Sequence, residues 1–183
     1  MQRLTSVDEV FALFAAGGSE AYFGEPVTQL EHALQAAWYV EQHSGNKALI
    51  VAALLHDIGH LLHHEGEDIA DRGVDTRHEE MGTKALAGHF PAAVLDPIYL
   101  HVAAKRYLCF AEGRYYDELS PASKQSLALQ GGPMTATEAE AFLALPHAGE
   151  AVTLRRADDA AKTPNLQVPG LESYRERVAS LWQ

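Results

Sequence analysis

Histidines set beside acids are the most informative residues of this chain. Leu54-Leu-His-Asp-Ile-Gly-His60 ends an apolar run with an adjacent His56-Asp57 pair. Burying an ionised carboxylate costs several kcal/mol unless a cation or hydrogen bonds compensate. A metal ion supplies that compensation. Imidazole nitrogen with carboxylate oxygen suits iron, manganese, cobalt or zinc better than the all-oxygen sites of magnesium and calcium. Gly59 lets the backbone pack closely after the pair. Further donors are His32 upstream, His78 in Thr76-Arg-His-Glu-Glu80, His101 in Tyr99-Leu-His-Val102, and Asp158 in Arg155-Arg-Ala-Asp-Asp159. Asp159 competes with Asp158 for the last place. Asp158 is preferred, because it shares a helical face with Arg155 and Lys162, three residues before it and four after. Any of these histidines alone reads as an ordinary solvated or capping residue. Along the chain these residues run in the order His, His-Asp, His, His, Asp. His43, His63, His64, His89 and His147 fit no place in it and read as surface residues.

Two cations stand near these donors. Lys105 is four residues after His101, on the same side of one helix, and Arg155 is one turn before Asp158. A guanidinium fork pairs two oxygens of a phosphonate or phosphate. His60 falls one turn after His56 if the helix continues through Gly59. Taken singly, Lys105 and Arg155 read as solvated charges, and Tyr22 and Glu25 as an ordinary loop.

The elements that must position these groups are helices. Ser6 and Glu9 form a capping-box pattern for a helix over about 6–16, ended by Gly17-Gly18. Pro26 suits the first turn of a second helix, which runs to about His43. A third, about 47–56, is apolar enough to be buried. Residues 63–77 are polar and read as a mobile surface loop. Helices are predicted at about 78–89, 92–108, from Ser120-Pro121 to Gln130, 138–145 behind a Thr137 cap, 147–162 and 170–181. No strand-like alternation or internal repeat interrupts them. The expectation is an all-α helical bundle, one domain over residues 1–183.

Net charge −11 argues against nucleic acid as a partner, because so acidic a surface repels phosphate backbones. A local basic pocket for a small anion is still compatible with it. The single cysteine, Cys109, excludes an intramolecular disulfide. With no signal-peptide pattern and no bilayer-spanning apolar run, a cytoplasmic protein without a membrane partner is expected. No obligate protein partner is expected.

The ordered His and Asp residues resemble the HD superfamily. In its dinuclear members, histidines between the His-Asp pair and the last Asp bind a second metal. The resemblance implies His32, His56, Asp57, His78, His101 and Asp158 as ligands, with Asp57 as the bridge. Tyr22-Phe-Gly-Glu25 ahead of Thr28-Gln-Leu-Glu-His-Ala-Leu-Gln35 looks like the HD-domain mixed-valent diiron phosphonate oxygenases of the PhnZ type. That resemblance runs from Tyr22 to Asp158. It implies two irons as Fe(II)/Fe(III), dioxygen as co-substrate, and oxidative cleavage of a carbon–phosphorus bond in a small organophosphonate. It implies that Tyr22 and Glu25 rearrange as substrate enters and that Glu25 faces the substrate amine. It adds Ser123, Ser126 and Gln130 as donors to the phosphonate, beside His60, Lys105 and Arg155.

Glu25 matches the branch that acts on 2-amino-1-hydroxyethylphosphonate and forms glycine. An N-trimethylated substrate giving glycine betaine is the alternative, and it favours an aromatic wall, for which Phe23 and Tyr107 are candidates. An HD phosphohydrolase acting on a nucleotide or small phosphoester shares the ligand set. A non-catalytic HD regulator is the third reading, disfavoured by the intact ligands and both cations.

Overall fold

A computed structural model of the protein describes residues 3–62 and 76–183. In chain order its helices are α1 (Val7–Gly17), α2 (Gln29–His43), α3 (Lys47–Leu55), α4 (His78–Leu86), α5 (Ala92–Ala111), α6 (Tyr115–Glu118), α7 (Pro121–Leu129), α8 (Ala136–Leu143), α9 (Ala148–Ala160) and α10 (Arg175–Leu181). Short 3-10 turns cover Ile58–Leu62 and Leu171–Tyr174. Among the described residues there is no strand beyond an isolated bridge between Ala21 and Thr28. The chain is all-α, as its sequence predicts.

Capping chemistry sets several of the starts. The Ser6 hydroxyl accepts from the Glu9 amide at the head of α1. Thr28 and Glu31 cap α2 reciprocally, so that helix starts at Gln29 and not at Pro26. Pro26 lies instead in the turn closed by the Tyr22 amide donating to the Val27 carbonyl, 3.0 Å. The same device moves α8 forward: the capping box is Thr135 with Glu138, two residues before the predicted Thr137. Helix α5 accommodates Pro97 in its interior and runs on to Ala111. The four-residue α6 was not legible in the sequence. The final predicted helix is divided, a 3-10 turn preceding α10.

Helix α3 is apolar on every side and lies at the centre, seven of its residues buried. Helices α2, α5, α9 and α10 pack around it, and α9 also packs along α5 and α2. This core joins Val10, Phe14, Leu34, Leu54, Leu86, Ile98, Leu154 and Val178. A second cluster, including Leu100, Met134 and Phe142, binds α8 to α5 and α9.

After α3 the chain turns as 3-10 and not as α-helix, so His60 is not one α-turn beyond His56. Gly59 explains the close approach of α4 here. A Cβ at that position would lie 2.0 Å from the His78 carbonyl oxygen. His43 is exposed, but His89 and His147 are half-buried, the former stacked on Trp182 at 4.5 Å. Both keep part of their surface exposed and neither joins the buried histidine cluster. His63, His64 and nearly all of the predicted mobile loop lie outside the described residues. No helix among the described residues is long and apolar enough to cross a membrane.

Candidate metal centre

Five helices each bring a donor to one buried point. His32 comes from α2, His56 and Asp57 from the end of α3, His78 from the first residue of α4, His101 from the middle of α5 and Asp158 from near the end of α9. All six are buried. Two groups could each hold a cation: His32, His56 and Asp57 on one side, and Asp57, His78 and His101 on the other. Asp57 serves both. Its Oδ2 lies 3.6 Å from His32 Nε2 and 3.4 Å from His56 Nε2. Its Oδ1 lies 3.3 Å from His78 Nε2 and 3.5 Å from His101 Nε2. Asp158 closes the first group, with Oδ1 3.5 Å from His32 Nε2. Asp159 instead pairs with Arg155 and with the Tyr115 hydroxyl.

The imidazoles are oriented by their outer nitrogens. His32 Nδ1 donates to the Ala161 carbonyl at 2.8 Å, His56 Nδ1 to Ala53 at 2.8 Å, and His101 Nδ1 to Ile98 at 2.7 Å. A neutral ring that donates from Nδ1 presents a lone pair at Nε2. Yet His32 Nε2 and His56 Nε2 stand 3.2 Å apart. His78 Nε2 and His101 Nε2 stand 3.1 Å apart. At the first contact two lone pairs face each other beside a carboxylate and repel, and Asp57 Oδ1 is buried without a hydrogen bond. Cations remove both problems. The donor set therefore fits a pair of nitrogen- and oxygen-liking transition metals.

Electrostatics separate the two groups: burial would lower the His101 imidazole, but the hydrogen bond and charge of Asp57 raise it. Burial pulls the His32 imidazole down to about 4, in the neutral form that a metal needs. Burial alone would raise the Asp57 carboxyl, but His56, His101 and His78 outweigh it and hold the group well below the usual carboxylate range. For Asp158, Arg155 and then His56 and His32 overcome burial in the same direction.

Tyr22 sits over this cluster. Its hydroxyl donates to Asp57 Oδ2 at 2.7 Å and its ring stacks on His32 at 3.8 Å. Burial, then the charges of Asp57 and Asp158, keep the phenol protonated. Phe23 follows with φ +42°, rare for a bulky residue, and its ring lies 4.3 Å from His60. His60 stacks on His78 at 4.1 Å. Tyr107, the other candidate aromatic wall, packs on Phe142.

Lys105 is buried and donates to Ser126 Oγ at 2.8 Å. Burial, then repulsion from Arg155, bring its ammonium down to about 7. Gln130 caps α7 with a buried Oε1 that lacks a hydrogen bond. The Arg155 guanidinium does not present a free fork. It pairs with Asp158 Oδ2 at 2.8 Å, with Asp159, and with the Tyr115 hydroxyl at 3.2 Å. Acids on its own helix claim its donors, so it holds Asp158 in place.

The sequence reading missed Lys162 and Ser120. Lys162 Nζ donates to Glu25 Oε1 at 3.0 Å and to Ser123 Oγ at 3.0 Å, and Ser120 donates to the same Glu25 oxygen at 2.5 Å. Glu25 thus already has a cation. The sequence reading used Lys162 only to choose Asp158, on a helical face that ends before it, because α9 stops at Ala160.

The HD-domain family profile matches residues 30–125, which span the first five of the six donors up to His101. Over 183 aligned residues the chain is 45% identical to hydroxymethylphosphonate dioxygenase of Gimesia maris, covering 98% of this chain and 88% of that one. It is 41% identical over 169 residues to the glycine-betaine-forming [1-hydroxy-2-(trimethylamino)ethyl]phosphonate dioxygenase of Leisingera caerulea, covering 92% and 86%. The chain belongs to the HD-domain phosphonate dioxygenases. An uncharacterised protein of Acanthamoeba polyphaga mimivirus is also similar, 32% identical over 176 residues.

Proposed function

We propose that this protein uses two irons and dioxygen to cleave the carbon–phosphorus bond of a small 1-hydroxyphosphonate. The observation that carries the proposal is the pair of opposed Nε2 contacts joined by Asp57, two adjacent cation positions sharing one carboxylate. His32, His56, Asp57 and Asp158 would hold one iron, and Asp57, His78 and His101 the other, as Fe(II)/Fe(III). Bound there, the irons supply the redox capacity to use dioxygen. The overall change balances with dioxygen alone: the carbon product and the phosphorus product each gain one oxygen atom, leaving a carboxylate and inorganic phosphate.

The protein's own groups bind and orient. Lys105, the Ser126 hydroxyl it bonds, Ser123 and Gln130 of the same helix α7 and its cap, and His60 beside His78 supply donors for the phosphonate oxygens. Such fixed donors in a dry site stabilise charge far better than water does. Arg155 acts through Asp158. Tyr22 must leave Asp57 for a substrate to approach the metals from that side, so its hydroxyl guards the resting site.

The sequence favours 2-amino-1-hydroxyethylphosphonate, with glycine as product, because Glu25 offers a partner to an ammonium. A second reading, hydroxymethylphosphonate giving formate, is favoured by Lys162, which already neutralises Glu25. The test is aerobic incubation of iron-loaded protein with each phosphonate, assaying phosphate with glycine or formate. Phosphate and carboxylate in equal amounts, dependent on air, are expected. Phosphate released from a phosphoester without oxygen would place the protein among the hydrolases instead.

A further inference from the structure

Lys162 stands just beyond α9, one residue after the Ala161 carbonyl that orients His32. Its ammonium reaches three oxygens: Glu25 Oε1 at 3.0 Å, Ser123 Oγ at 3.0 Å and Ser120 Oγ at 3.4 Å. An ammonium has three donors, so these contacts use its full capacity. The two charged side chains are 13% and 11% exposed. The pair is therefore far better shielded than a surface salt bridge, and separating it would leave a poorly solvated charge. Glu25 belongs to the same short loop as Tyr22, whose hydroxyl is on Asp57. The carboxylate thus projects from the loop that covers the metal cluster, and a cation from the protein itself already occupies it.

We propose that Lys162 is a specificity-determining residue that selects phosphonates without a cationic group on the carbon skeleton. The proposal rests on the reading of the site as a 1-hydroxyphosphonate oxygenase with Glu25 toward the substrate. An incoming ammonium competes with Lys162 for Glu25. It must displace an intramolecular partner already held by two hydroxyls, and it meets that partner's positive charge at close range. A neutral substrate meets neither penalty. Specificity here is a matter of repulsion as much as attraction. Lys162 touches Ser123 as well, so it also holds the hydroxyl that the family resemblance implies for the phosphonate.

The test compares kcat/KM for the two phosphonates named above in the iron-loaded wild type, Lys162→Met and Lys162→Arg, with iron content measured in each. The wild type should favour the uncharged substrate by tenfold or more. Lys162→Met, which frees Glu25, should move the ratio toward the amine by at least tenfold, chiefly through KM, at unchanged iron content. Lys162→Arg keeps the charge and should keep the wild-type order. Equal ratios in wild type and Lys162→Met, or a wild type that already favours the amine, would overturn the proposal while leaving the oxygenase reading intact. Phosphate release from neither substrate by the wild type would overturn both. A merely structural role would lower both rates together and leave their ratio unmoved.

Discussion

Lys105 is a buried ammonium whose proton is easily lost. Burial, reinforced by Arg155, leaves it near half-charged at neutral pH, with a folded value of about 7. Its phosphonate-binding role needs the charged form. For the free enzyme, kcat/KM should therefore fall as pH rises through about 7, and Lys105→Arg should move that limb upward, since guanidinium keeps its proton. The same shift fixes a stability trend. Folded Lys105 releases its proton at lower pH than the unfolded chain does, so the metal-free protein should gain stability between about pH 7 and the unfolded value of about 10.4. Urea unfolding across that range checks it. Arg155 yields a different prediction. It is the cation of buried Asp158 and half-buried Asp159, so Arg155→Ala should destabilise the metal-free protein by about 3–5 kcal/mol. A variant that lost turnover but unfolded like the wild type would show that Arg155 serves only the substrate.

At the scale of elements, the site depends on how α4 meets the end of α3. Gly59 allows that approach, and a Cβ there would strike the backbone of His78, which cannot rotate away. Gly59→Ala should shift the start of α4, withdraw His78, and lower the bound iron from two toward one per chain. Metal analysis of the purified variant measures this. Much of the local structure was legible because short-range chemistry sets it: Ser6 with Glu9, Thr28 with Glu31, Ser120 before Pro121. Where two caps competed, as Thr135 and Thr137 did, spacing alone could not choose between them. The 3-10 turn after His56 was hidden because its cause is a contact with α4, twenty residues on. What engages Arg155 was hidden for a similar reason. Its neighbours Asp158 and Asp159 were visible, but which of several acids and ligands would take its donors depended on packing.

Across the whole molecule, a chain of net charge −11 buries two cations, Lys105 and Arg155, together with two acids, Asp57 and Asp158. The interior around the cluster is thus far less acidic than the chain as a whole, which leaves room for an anion. The His-Asp pair in an apolar helix demanded a partner, but among 10 histidines and 25 acids only the resemblance to the HD superfamily pointed to the other four donors. The Glu25–Lys162 pair was not legible, because its members are 137 residues apart and each is unremarkable alone. The central claim is that opposed imidazole lone pairs and one shared carboxylate converge around two neighbouring cations. Anaerobic titration of metal-free protein with Fe(II), followed by partial oxidation and electron paramagnetic resonance, tests it most directly. The account predicts two irons per chain and the signal of a spin-coupled Fe(II)/Fe(III) pair, with His101→Ala holding one iron and losing that signal. Saturation at a single iron, unchanged by His101→Ala, would contradict it.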